Sequence, residues 1–156
     1  MVNADEVDGF DSSAFLKASV ADSITLPGAG FTARDDVPVF QLGTSCFRNN
    51  QPSSGLRHTI PVSAGSVLTG LTIRTYATAA SQEFTLTVYR QSPATSDGLI
   101  VESISFTPAT TGLTTSNLDI APEHVVPAGE AVYVNFTSSS SAVYLCAVEV
   151  EFTRPS

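Results

Sequence analysis

The chain has 156 residues, enough for one domain with a substantial core. Its 7 Lys+Arg against 15 Asp+Glu leave a formal net charge of -8. That balance argues against a basic face for nucleic acid and against docking on anionic lipid, so neither nucleic acid nor a membrane is an expected partner. Hydrophobic residues make up 42% and charged residues only 14%, and the Ser- and Thr-rich remainder suits strands and turns better than helices.

No segment approaches the ~20 apolar residues that a membrane-spanning helix needs. Met1 leads directly into Val2-Asn3-Ala4-Asp5-Glu6, without a basic stretch or an apolar run. The expectation is a protein made without an export signal, or a chain that begins after one.

Residues 1–36 read as an arm. They carry seven acids (Asp5, Glu6, Asp8, Asp11, Asp22, Asp35, Asp36) against Lys17 and Arg34, and no long alternating run. One short helix is expected there, capped by Asp11 or Ser12 and running through Ser13-Ala14-Phe15-Leu16-Lys17-Ala18. So short a helix is marginal alone, so Phe10, Phe15 and Leu16 are expected to dock on another subunit. A short strand at Ser23–Leu26 follows, ended by Pro27-Gly28-Ala29-Gly30.

Residues 37–156 read as a β domain. Strands are expected at Val37–Leu42, Leu56–Val62, Val67–Ala77, Phe84–Tyr89, Leu99–Phe106, Thr114–Ile120, Val132–Phe136 and Tyr144–Phe152. In the last of these, Tyr144, Cys146, Val148, Val150 and Phe152 share one face, which predicts a buried Cys146. About eight short strands with no helical gaps predict an all-β fold, an antiparallel jelly-roll-like sandwich preceded by the arm and its helix. Ile60–Val67 echoes Val125–Val132, each with an Ala-Gly pair at a chain reversal where glycine can take positive φ.

Few residues suggest chemistry. His58 and His124 lie in no catalytic or metal motif and read as solvated or structural. No phosphate loop, nucleophile elbow or paired-histidine motif occurs, so no catalytic residue, cofactor or metal is assigned. The acidic run Asp5–Asp11 lacks the alternating ligands and closing Glu of a calcium loop. Asn135-Phe136-Thr137 fits the glycosylation pattern but falls inside a strand. Cys46 and Cys146 could form one bridge or be two small buried hydrophobes.

The most informative pattern is a hairpin closed by Thr78–Glu83. It pairs Tyr76 near Thr85, Arg74 near Thr87 and Thr72 near Tyr89, which puts Arg74, Tyr76 and Tyr89 on one outward face as a binding or interface surface.

One segment is familiar. Asn3-Ala4-Asp5-Glu6-Val7-Asp8-Gly9-Phe10-Asp11-Ser12-Ser13-Ala14-Phe15-Leu16 is similar to a segment that recurs in bacteriophage tail-fibre proteins and some bacterial surface proteins. The resemblance rests on Ala4, Asp5, Asp8, Gly9, Ser12, Phe15 and Leu16. It implies a non-enzymatic protein of a tailed-phage virion exterior, a short fibre or capsid decoration subunit. Such a protein would be a closed homo-oligomer, a trimer, in contact with other virion proteins and with host surface glycans. The alternative from another class is a carbohydrate-binding module of a secreted bacterial surface protein.

Overall fold

The computed structural model describes residues 20–33, 39–49, 55–94 and 98–155. The expected helix and its Phe10, Phe15 and Leu16, with the segment that carries the tail-fibre resemblance, lie outside the described residues.

Among the described residues, eleven strands run in chain order: β1 (Val20–Pro27), β2 (Thr32–Ala33), β3 (Val39–Leu42), β4 (Cys46–Asn49), β5 (Leu56–Thr59), β6 (Val67–Ala77), β7 (Phe84–Gln91), β8 (Leu99–Phe106), β9 (Gly112–Val125), β10 (Ala131–Ser138) and β11 (Val143–Arg154). A six-stranded sheet has the order β3-β4-β11-β6-β9, with β1 also on β11, and faces a five-stranded sheet β2-β5-β10-β7-β8. All pairings are antiparallel. The chain changes sheet at nearly every connection, which is the jelly-roll path expected from the strand pattern.

The core is the meeting of the two inner faces. Leu71 and Ile73 of β6, Val148 and Val150 of β11 and Leu118 of β9 pack against Leu86 and Val88 of β7 and Val132 and Val134 of β10. Phe84 closes one end, its ring 5.2 Å from Phe106 and 5.5 Å from Phe136. Thr75 is fully buried, and its hydroxyl is satisfied by the Thr114 hydroxyl at 2.9 Å.

The echoed corners do sit on positive-φ glycines, Gly65 at 84° and Gly129 at 77°. They also touch: the Gly65 N–H donates to Val126 O and the Val126 N–H to Ser66 O, both at 2.8 Å.

Three expectations are corrected. Residues 20–33 belong to the sandwich and not to an arm, because β1 pairs with β11 from Val20↔Arg154 to Pro27↔Ala147 and its Leu26 is in the core. Its one acid is tied down locally: Asp22 forms an ion pair with Arg154.

Second, β6 and β7 do not form a hairpin. They lie in opposite sheets, with loop 78–83 crossing the roughly 10 Å between them. Within β6 and β7 the side chains alternate inward and outward as their spacing predicts, but Arg74 and Tyr76 lie on the outside of one sheet and Tyr89 on the outside of the other.

Third, Tyr144 and Cys146 are not on the buried face. A register shift between Leu145 and Ala147 inserts an extra residue into β11 against β6. Leu145 and Val148 both point inward and are fully buried, while Tyr144 lies on the outer face and Cys146 is half-buried at the bulge.

Cys46 and Cys146 are bridged, with their Cα atoms 3.9 Å apart. In the ladder of the described residues, the β3–β4 hairpin pairs with β11 at Leu145↔Phe47. Below it, Gly28 is buried in a 3-10 turn, where a Cβ would lie 2.6 Å from Leu145 O, 2.7 Å from Ser45 O and 2.9 Å from Cys146 O. Those oxygens belong to backbone and cannot rotate away.

Two outcomes follow from this attachment. Replacing both cysteines by alanine is expected to lower the unfolding free energy by ~2–5 kcal/mol, since the bond closes a loop spanning 100 residues in the unfolded chain. Denaturant titration measures it, and an unchanged midpoint contradicts it. Gly28→Ala is expected to cost ~1–3 kcal/mol through overpacking against fixed carbonyls, and a melting temperature equal to the parent's contradicts that reading.

Candidate functional site

The outer face of the six-stranded sheet carries side chains in rows that cross the strands. The rows follow from register. Tyr76 lies opposite Tyr144 on one side and Leu113 on the other. Phe40 pairs with Arg48 on the adjoining hairpin. The Arg48 guanidinium carbon sits 4.7 Å from the Phe40 ring centroid and 5.4 Å from that of Tyr144, so the cation joins the two aromatic groups.

The row Phe40–Arg48–Tyr144–Tyr76–Leu113 therefore spans five strands, about 19 Å at the usual strand spacing. Phe40 is 43% exposed, Tyr76 37% and Leu113 66%, while Arg48 and Tyr144 are half-buried.

The next row holds Ala147, Arg74 and Thr115. Beyond it come Thr25, Glu149, Thr72 and Asn117, then Ser23, Glu151, Gly70 and Asp119. This second half is a hydrogen-bonded polar surface. The Ser23 hydroxyl donates to Glu149 Oε1 at 2.9 Å, and Thr72 Oγ1 lies 3.1 Å from Asn117 Oδ1 and 3.4 Å from Glu151 Oε1. The face thus divides into an aromatic half with two arginines and an acidic half with donors and acceptors held in fixed positions.

Of the three residues expected to act together, this face unites Arg74 and Tyr76. Tyr89 is on the opposite side of the molecule, its ring stacked on Tyr133 at 5.1 Å, with Arg57 4.4 Å above the other tyrosine. Tyr133 is only 7% exposed, so that stack packs the five-stranded sheet and presents little open ring surface.

Sequence reading missed Tyr144, Phe40 and Arg48. Tyr144 looked inward because the bulge at Cys146 leaves no trace in a strand that is apolar at both parities. The β4 strand that holds Arg48 has only four residues and no alternation.

The histidines occupy structural positions. His58 packs its ring 5.1 Å from that of Phe31, and its Nδ1–H donates to Thr59 O at 2.6 Å. His124 is half-buried; burial and the nearby Arg90 push its pKa down, and Glu130 pulls it partly back. Asn135 is 6% exposed inside β10, away from any surface acceptor position.

A cleft of about 300 Å³ opens between β1 and the corner at Pro61–Ser63, lined in part by Ile24, Phe152 and Arg154. It lacks an exposed ring; the sheet face, with its aromatic row, is the stronger candidate.

No protein-family model matches the chain, and no curated protein matches it. Solved structures do. The CBM22-1 xylan-binding domain of Paenibacillus barcinonensis Xyn10C matches with a TM-score of 0.55 at 13% identity, over 90% of this chain and 100% of that one. A carbohydrate-binding module CBM36 in complex with calcium and xylotriose matches at 0.54 and 12% identity, over 81% and 98%. A Podospora anserina GH26-CBM35 β-(1,4)-mannanase matches at 0.54 and 15% identity over 86% of this chain, which spans 28% of that enzyme.

Among the described residues, no group of three or more His, Cys, Asp or Glu side chains is arranged to hold a metal. At such identities the likeness establishes the fold, a jelly-roll sandwich shared with carbohydrate-binding modules. The reading as a virion structural protein, with its fibre, capsid and virion-exterior assignments, is corrected: the solved structures that share this fold are carbohydrate-binding modules.

Proposed function

We propose that this chain is a non-catalytic glycan-binding module of an extracellular or surface-attached protein, and that the outer face of the six-stranded sheet is its platform. One observation carries the reading: an aromatic row of exposed Phe40 and Tyr76 with half-buried Tyr144 and Arg48 between, on the same face as fixed hydrogen-bonding groups.

The physical fit is direct. A pyranose ring has an apolar face of C–H groups and an equator of hydroxyls. The C–H groups meet the negative face of an aromatic ring favourably. The hydroxyls both donate and accept, and farther along an oligosaccharide they find Thr72, Asn117 and Glu149 two rows from the aromatic one and Glu151 a row beyond. The donors and acceptors of this half already hold one another in place, so binding spends little side-chain entropy there.

The chain has no tryptophan, so tyrosine and phenylalanine would supply the stacking. The fold likeness to carbohydrate-binding modules supports the reading. A disulfide supports an oxidising compartment.

The test is retention of the protein in native gels containing soluble polysaccharides. Tyr76→Ala with Tyr144→Ala is expected to weaken retention about tenfold or more, as loss of buried aromatic contacts does. Tyr89→Ala, on the opposite sheet, is expected to leave it unchanged. Circular dichroism verifies that each variant keeps its β fold. The reading fails if the double variant binds like the parent, or if Tyr89→Ala alone abolishes retention in a folded protein.

A further inference from the structure

The described arginines are accounted for one by one, with a single exception. Arg48 lies against Phe40 and Tyr144, and Arg57 over Tyr133. Arg90 pairs with Glu130 at 3.6 Å, and Arg154 pairs with Asp22. Arg74 alone makes no ion pair, hydrogen bond or ring contact among the described residues. It is exposed in the middle of the outer face, one row from Tyr76 and Tyr144.

Its row neighbours are Ala147 and Thr115, both small, so nothing covers the guanidinium from either side. In a chain of net charge -8, an arginine that could have been neutralised by many carboxylates instead stands free beside the stacking surface.

The charges on this face are sorted by sign. The two rows at the aromatic end contain Arg48 and Arg74 and no carboxylate, whereas Glu149, Glu151 and Asp119 occupy the rows beyond Arg74. An anionic group approaching the platform is repelled from the acidic rows and drawn to the aromatic end, where a planar fork of N–H donors waits.

Building on the glycan-binding reading above, we propose that the glycan taken by this face is an acidic one. A sugar ring lies on Tyr76 and Tyr144, and its carboxylate or sulfate ester is held by Arg74. The two anions share the chemistry that the guanidinium recognises, a pair of negatively charged oxygens that two parallel N–H groups can meet.

Matched polymer pairs test it: carboxymethylcellulose against hydroxyethylcellulose for the carboxylate, and dextran sulfate against dextran for the sulfate ester. The parent protein is compared with Arg74→Gln and with Arg90→Gln, which removes the same charge from the other sheet. The expected result is stronger retention by an anionic member than by its neutral partner. Arg74→Gln is expected to weaken that retention about tenfold, the scale of a lost charge-assisted hydrogen bond, and so to remove most of the difference between the anionic polymer and its neutral partner.

Arg90→Gln should track the parent. Since protein and polymer are both negative overall, non-specific attraction works against this preference. Response to carboxymethylcellulose alone assigns the carboxylate, response to dextran sulfate alone assigns the sulfate ester, and either supports the proposal.

Equal retention of charged and neutral partners overturns it while leaving glycan binding in place. So does an Arg74→Gln variant that binds the anionic polymers like the parent. Absence of retention by all four polymers removes the glycan reading itself, and this proposal with it.

Discussion

The extra residue in β11 between Leu145 and Val148 is the constraint on which the rest of the domain depends. A strand has a two-residue period, so one insertion inverts every side chain after it. Here the inversion lets Val143 and Leu145 face the core before the bulge and Val148 and Val150 face it after, all fully buried. Without it, either the first pair or the second would be turned to solvent. The same strand is the hub of its sheet, bonded to β6 along one side and shared by β1 and β4 along the other.

The bulge also places the cysteine. Cys146 is carried to the outer side next to β4, where Cys46 reaches it, and the bond fixes a hairpin that, in the ladder of the described residues, pairs with β11 at Leu145↔Phe47. Because that hairpin brings Phe40 and Arg48 to the end of the row begun by Tyr144 and Tyr76, core packing and surface chemistry are set by one local irregularity. Gly28 beneath it is the complementary requirement: three carbonyl oxygens converge where any side chain would stand.

Much of the fold is legible in residue alternation. Leu71 and Ile73 in β6, and Phe84, Leu86 and Val88 in β7, face the core as their spacing requires. Alternation states which way a side chain points and says nothing about which strand lies beside it. That is why β6 and β7 read as a hairpin although loop 78–83 carries the chain across to the second sheet.

The arm boundary was misplaced for a different reason. The acidic composition of residues 1–36 and their lack of a long alternating run read as an arm, while Asp22 and Ser23 are partnered by Arg154 and Glu149 on β11. Half of the candidate site, Arg74 and Tyr76, was visible because β6 is long and regular. The other half depends on a bulge and a four-residue strand, neither of which has a periodic signature.

The central claim is that ligand meets the outer face of the six-stranded sheet along its aromatic row. An amide-resolved NMR titration with a soluble oligosaccharide tests it most directly, because each backbone N–H reports its own surroundings. The account predicts shift changes confined to the outward rows around Tyr76, Tyr144, Arg74 and Thr115 and to the β3–β4 hairpin. Changes centred on Arg57, Tyr89 and Tyr133, or in the cleft beside Pro61, would contradict it.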